Sequence, residues 1–300
     1  MDCKKPISAI RVFSLSTAFF LSLVSVSGQS KSERNQIKKA NNKEQLHSLI
    51  SQFEQEQRLK EVEMKELLVA KRWNQVEKSE DGSVVELNDV GDDGTLLFYS
   101  TLNSPSSEVS RANSLYANGA LELGLNGAGM QVGVWDAGTA LDSHQEFDIR
   151  AFNGDQSGSI SSHATLVTGT IISSGVKPKA KGVAFGAEAF THDWTRAKIE
   201  VAEAAAEGLV RRTQSDGLKS DRVPDWYFGA YIRVSQDWDK IMYNAPYYMM
   251  VSAAGNAQKS FDNAEPNFGK TADGFDHLLG FTTSKNVLTL AGAHTKIDNR

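Results

Sequence analysis

The segment Val132-Gly-Val-Trp-Asp136-Ala-Gly138 constrains this chain more than any other. A short apolar run that ends in an acid and then a glycine reads as a buried strand with a carboxylate at its tip. From residue 112 onward, similar apolar strands alternate with helical runs, the pattern of a parallel α/β sheet flanked by helices. Val132–Trp135, Met249–Ala254 and Val287–Ala293 read as strands, and Gly182–Phe185 and Glu188–His192 as strand edges. His163–Ser173, the alanine-rich Thr195–Gly208 and Tyr231–Tyr243 read as helices. In open α/β sheets ligands and reactive groups gather beyond the carboxyl ends of the strands, where Asp136 stands.

The region before residue 112 has a different texture. Residues 1–28 carry Lys4, Lys5 and Arg11, then apolar Val12–Val24, then the small-residue site Val26-Ser27-Gly28. This is the pattern of a secretory signal peptide, which implies export to the cell surface or beyond. Residues 29–111 form a helical and β-hairpin N-terminal region, either a pro-region or a retained domain. Leu46, Leu49, Ile50, Phe53, Leu59, Val62, Leu67 and Leu68 recur at near-helical spacing between about Lys31 and Asn74, giving one or two amphipathic helices. Val84–Leu87 and Leu96–Ser100 flank turn-rich Asn88–Gly94 as a hairpin, and polar Asn103–Ser110 reads as a linker to a domain over 112–300. The only cysteine, Cys3, lies in the leader, so the exported chain has no disulfide. A net charge of −5 gives no broad basic footprint for nucleic acid, and no apolar run reaches the length of a membrane span. Nothing in the sequence bears on oligomeric state.

Three polar residues stand where chemistry could be done. Asp136 at a strand tip can orient an imidazole and stabilise its charged form. His163 opens a helix whose first residues are small (Ala164, Thr165, Gly169), so its ring can face a cleft as a general base. Asn256 follows Ser252-Ala-Ala-Gly255, where the glycine permits a sharp turn, and its amide can donate to a developing oxyanion, a contribution worth roughly 3 kcal/mol. A turn-forming Asp, a structural His and a turn Asn are the plain alternatives for each taken singly.

In order and spacing, the three segments resemble the subtilisin-like serine proteases over roughly residues 112–300. The Asp136 strand is similar to that family's Asp-Ser/Thr-Gly strand, and Asp142-Ser-His-Gln-Glu-Phe147 to the turn that follows it. Ser162-His163-Ala-Thr-Leu-Val-Thr-Gly-Thr170 resembles the His-Gly-Thr-x-Val-Ala-Gly-Thr helix, with Ala164 in place of glycine. Gly182-Val-Ala-Phe-Gly-Ala187 resembles the Gly-Val-Ala-Pro-x-Ala strand, and Ser252-Ala-Ala-Gly-Asn256 the strand carrying the oxyanion Asn. The N-terminal segment resembles that of secreted bacterial members with a helical leader region and a hairpin. The resemblance implies a secreted endopeptidase acting on protein or peptide substrates. In it Asp136 orients, His163 serves as base then acid, and Asn256 stabilises the tetrahedral oxyanion. Ser215, Gly217, Ser252, Ala253 and Gly255 are then the substrate-binding positions. No cofactor is required; the family's habit of binding structural calcium makes Asp262, Asp273 and Asp276 the available carboxylates.

Two departures qualify that expectation. Phe281-Thr-Thr-Ser284-Lys lacks the glycine before the serine and the small residues and proline after it, so Ser284 is not taken as the nucleophile. The nucleophilic Ser is expected beyond residue 300, and a non-catalytic subtilase-like binding module is the alternative. Second, Arg211 and Arg212 stand in the strand that leads to Ser215-Asp-Gly217, where apolar or small residues are expected. Two unpaired guanidinium groups in a sheet core are costly, so both are expected to point outward or the stretch to be irregular. Gly124-Leu-Asn-Gly127-Ala-Gly129 precedes its strand and lacks dinucleotide-loop spacing, and the Gly269-Lys270-Thr271 tail lacks a P-loop's first glycine. His144, His192 and His277 have no metal-motif spacing, so no metal ligand is assigned.

Overall fold

A computed structural model describes residues 30–71, 74–78, 84–101, 111–155, 158–214, 216–256 and 278–291. Residues 1–28, read above as a signal peptide, residues 103–110, read as a linker, and Ser215, Asp262, the 269–271 tail, Asp273, Asp276 and His277 lie outside the described residues.

Two helices open the described chain. In α1 (Lys31–Ala40), the Ser30 hydroxyl accepts from the Glu33 N–H while the Glu33 carboxylate accepts from the Ser30 N–H, a reciprocal cap. The longer α2 (Lys43–Lys71) buries Leu46, Leu49 and Phe53 on one stripe, at the spacing that a helix facing a core requires. Then β1 (Val76–Lys78), β2 (Val84–Val90) and β3 (Leu96–Thr101) form an antiparallel ribbon, with the hairpin turn tighter than the sequence suggests. Val85, Leu87 and Phe98 pack beneath Met64 and Leu68 of α2.

The second half is a wound α/β unit. Its strands and helices run β4 (Gln131–Asp136), β5 (Ala151–Asn153), α3 (Ser162–Ile172), β6 (Glu188–Asp193), α4 (Ala197–Ala206), β7 (Arg211–Gln214), β8 (Asp216–Leu218), α5 (Arg233–Asn244), β9 (Met249–Ala253) and β10 (Leu288–Leu290). Six of these strands make one parallel sheet in the order β10-β9-β7-β4-β6-β5. From β4 the chain goes to the edge strand β5, returns to β6 beside β4, then crosses to β7 and runs outward through β9 to β10, so the strand order reverses beside β4. Small β8 leaves this sheet and pairs antiparallel with β3, joining the N-terminal ribbon to the α/β unit.

The two faces of the sheet have separate cores. Val134 packs with Phe147, Val167 and Ile172 on the α3 face. Trp135 packs on the other face with Trp194, Ile199 and Trp238, and Leu46, Leu49 and Phe53 of α2 belong to that same cluster. Helix α2 therefore shares the main core.

Two expectations need correction. Residues 182–185 form a turn, because their backbone closes the end of α3. Gly182, Val183 and Ala184 donate to the carbonyls of Ser173, Thr170 and Ile171, which the helix leaves unpaired. In β7, Arg211 is exposed but Arg212 points inward and is 1% exposed. Its guanidinium lies 4.5 Å from the Trp135 ring centre and 4.3 Å from that of Trp238, so two aromatic faces offset the cost of burying the charge. Its neighbour Tyr248 is held well above the usual phenol range by burial, with the Arg212 charge pulling the other way.

Candidate functional site

The site is built where β4 ends. Alternation along a strand sends Val134 and Asp136 to the α3 face and Trp135 to the other. Asp136 is completely buried there. One carboxylate oxygen accepts from the Ala137 N–H at 2.7 Å, and the other lies 2.6 Å from Nδ1 of His163, the second residue of α3. The His163 side chain is 11% exposed, so the pair sits at the edge of the interior.

Local sequence explains why these two residues meet. After β4 the chain runs beside the segment that leads into α3. The Thr139 N–H donates to Ser159, the Ser161 N–H donates to Thr139, and the Leu141 N–H donates to the Thr165 hydroxyl. A Cβ on Gly138 would lie 2.7 Å from the Ser159 carbonyl oxygen, so only glycine allows this approach. Ser161 caps α3 by accepting from the Ala164 N–H, and its hydroxyl also supports the Asp136 carboxylate. Fully buried Ala164 lets α3 lie close to the sheet. Behind α3, Glu146 accepts from the N–H groups of Gly175, Val176 and Lys177, which fixes the loop leaving the helix. Those bonds hold its carboxyl below the usual range, and Phe147 beside it is buried.

Burial pushes the Asp136 carboxyl above the usual carboxylate range. Its contacts with His163, Ala137 and Ser161 oppose that rise without cancelling it. An Asp in this position fixes the imidazole with its Nδ1 directed at the carboxylate, which turns Nε2 to the task of taking a proton.

The other sequence-assigned residues fall as follows. β9 runs parallel to β4 with only β7 between them, so their carboxyl ends share one edge of the sheet, roughly 10 Å apart. Asn256 lies beyond that end of β9 and is exposed. Gly255 before it has φ +121°, a backbone conformation that glycine alone adopts freely, so the chain turns there as the sequence suggests. Ser252 is buried at 1% exposure, while Ala253 is half-buried at the strand's last position. Gly217 is buried in β8 opposite Ser100 of β3, so the strand edge expected to receive substrate backbone is taken by the N-terminal ribbon. Ser284 is buried and donates to the Ser235 carbonyl, in keeping with a structural role. Sequence reasoning missed Ser161, although a serine just before a helix-opening pair was a usable capping signal. It also missed the neighbourhood of His192, whose partners are remote in sequence.

No protein-family model matches this chain, and no curated protein does. Solved structures of subtilisin-like serine proteases are similar to it over about half its length. Fervidolysin from Fervidobacterium pennivorans, described as a keratinolytic enzyme related to subtilisin, shares 20% identity at a TM-score of 0.34, covering 48% of this chain and 24% of its own. The epidermin leader peptide processing serine protease EpiP from Staphylococcus aureus shares 15% identity at 0.34, covering 52% of this chain and 45% of its own. MycP1 from Mycobacterium smegmatis shares 14% at 0.38, covering 68% and 61%. The likeness is one of fold, and the chain spans a quarter to three-fifths of the length of these structures.

Proposed function

We propose that the chain carries the Asp–His part of a secreted serine endopeptidase site of the subtilisin-like kind, acting on protein or peptide substrates. The observation that carries this reading is the 2.6 Å contact between buried Asp136 and His163 at the carboxyl end of the central strand. In the proposed reaction a serine hydroxyl, on a segment following Arg300, gives its proton to Nε2 of His163 and attacks the scissile carbonyl. The imidazolium that forms is stabilised by Asp136 and then protonates the leaving amine, and water repeats the cycle on the acyl-enzyme. Asn256 donates to the oxyanion of each tetrahedral intermediate. The backbone at Ser252, Ala253, Gly255 and Ser215 is proposed to align the substrate, with Gly217 joining them only where β3 leaves the edge of β8, and structural calcium is proposed as optional.

A second reading, a non-catalytic binding module of the same fold, is favoured by one observation: β3 occupies the edge of β8. Labelling of the full-length protein with a fluorophosphonate probe separates the two. The peptidase reading expects labelling and peptide hydrolysis, with kcat lowered about 10⁶-fold in His163→Ala and about 10⁴-fold in Asp136→Asn. Absence of labelling in correctly folded full-length protein, or hydrolysis unchanged in His163→Ala, defeats the peptidase reading.

A further inference from the structure

We propose that Asp155, His192 and Glu200 form a binding site for one divalent transition-metal ion of the zinc class, on the opposite side of the central sheet from His163. The residues come from three elements: Asp155 just after β5, His192 next to last in β6, and Glu200 in α4. Each offers one ligand atom, and the three atoms lie within 4.8 Å of one another. His192 is the register partner of Trp135, so it faces the α4 side, opposite to Asp136.

The imidazole is held in a slot. Its ring stacks on the Trp135 indole with centroids 4.3 Å apart and planes 5° from parallel. Gly154 covers the ring's other side, where a Cβ would lie 2.2 Å from Cε1 and 2.5 Å from Nε2 of His192. Nδ1 is therefore aimed between the two carboxylates. It is hydrogen-bonded to one oxygen of Asp155 and lies 3.6 Å from Oε2 of Glu200. Each carboxylate is oriented in turn by a further contact. The Trp135 indole N–H donates to Glu200 Oε2 at 3.0 Å, and the second oxygen of Asp155 accepts from the Asp193 N–H. Such outer contacts are how proteins fix metal ligands.

Geometry and charge agree on the kind of ion. Two ligand atoms about 2.05 Å from a tetrahedral ion stand roughly 3.3 Å apart, close to the Nδ1–Oε2 separation. The short contact between His192 and Asp155 is the place where an ion would replace a shared proton and spread the pair. All three side chains are 14% exposed or less, so two carboxylates share one imidazole away from bulk water. Two carboxylates gathered around one imidazole leave a surplus of negative charge that a dication would neutralise. One imidazole with two carboxylates suits zinc, iron or cobalt rather than the all-oxygen shells of calcium or magnesium. A water completes the coordination. The ion would fasten the segment that leads from β5 into α3, and so towards His163, onto β6 and α4.

The test uses the full chain, stripped of metal with a chelator and titrated with Zn²⁺ against a chromophoric competitor, then with Co²⁺. One equivalent is expected to bind, with affinity falling at least about 10-fold in Asp155→Asn and in Glu200→Gln but not in His144→Ala. Glu200→Gln keeps an acceptor for the Trp135 N–H, so it reports on ligation if His192→Ala fails to fold. In the wild type, Co²⁺ is expected to shift the His192 ring resonances paramagnetically. Failure to bind Zn²⁺ more tightly than about millimolar overturns the proposal in favour of a proton-only network. So does binding that folded Glu200→Gln and Asp155→Asn leave unchanged.

Discussion

Replacing Phe53 by alanine tests whether the N-terminal helices are an integral part of the protein or a detachable cover. Phe53 is 1% exposed and sits in the same cluster as Trp194, Ile199 and Trp238. The Lys198 ammonium lies 5.1 Å from its ring centre. Removing a fully buried Phe side chain costs about 3–5 kcal/mol, from lost transfer energy plus the cavity left behind. Lys198 is tied to Asp237 at 3.1 Å, which restrains its stem from collapsing into the gap, so the loss should be about 3–4 kcal/mol. Against a typical total of 5–15 kcal/mol this is a large fraction, equivalent to roughly 10 °C in Tm. The assay is urea unfolding followed by far-UV circular dichroism and by fluorescence, since Trp135, Trp194 and Trp238 are buried in the α/β core. Both signals should move together to lower urea. An early helix transition, with the tryptophan transition left at its wild-type midpoint, would refute the shared core and mark the N-terminal region as separable.

Three further outcomes follow from the same geometry. Burial holds the Glu86 carboxyl above the usual range, despite the 2.6 Å hydrogen bond from the Trp194 indole. Its protonated form is thus favoured by folding, and the stability it contributes at acid pH is lost as pH rises through its folded pKa. Glu86→Gln should therefore gain on the wild type at pH 8 and not at pH 4 in urea unfolding; equal differences at both would contradict the assignment. Gly138→Ala forces the β4 exit away from the Ser159 carbonyl and should cost about 1–3 kcal/mol by thermal unfolding; under the proposed peptidase reading, fluorophosphonate labelling should fall more than stability alone explains. Gly154→Ala should displace the His192 ring from Trp135, with a similar loss of stability and a changed tryptophan emission.

Much of this was written locally in the chain. The Asp136 strand, the α3 helix with its small residues and the Met249–Ala253 strand all announce themselves by short-range pattern, and their order brings Asp136 and His163 together. What escaped was set by distant partners. An apolar tetrapeptide at 182–185 reads as a strand until the open carbonyls of α3 are there to be closed. Arg212 looks too costly for a sheet core until Trp135 and Trp238 meet around it, and neither is near it in sequence. The pairing of β3 with β8 joins segments more than a hundred residues apart, beyond the reach of any periodicity. The Asp155–His192–Glu200 cluster has no motif spacing because strand order, not a loop, assembles it.

The central claim is that Asp136 holds His163 in the orientation needed for proton transfer. Proton NMR of the imidazole N–H region tests it most directly. A strongly hydrogen-bonded Nδ1 proton should give a far-downfield resonance that His163→Gln and Asp136→Asn both remove and Asp155→Asn leaves in place. If that resonance survives in folded Asp136→Asn, the contact does not govern the histidine, and the reading of this strand tip as a catalytic position falls with it.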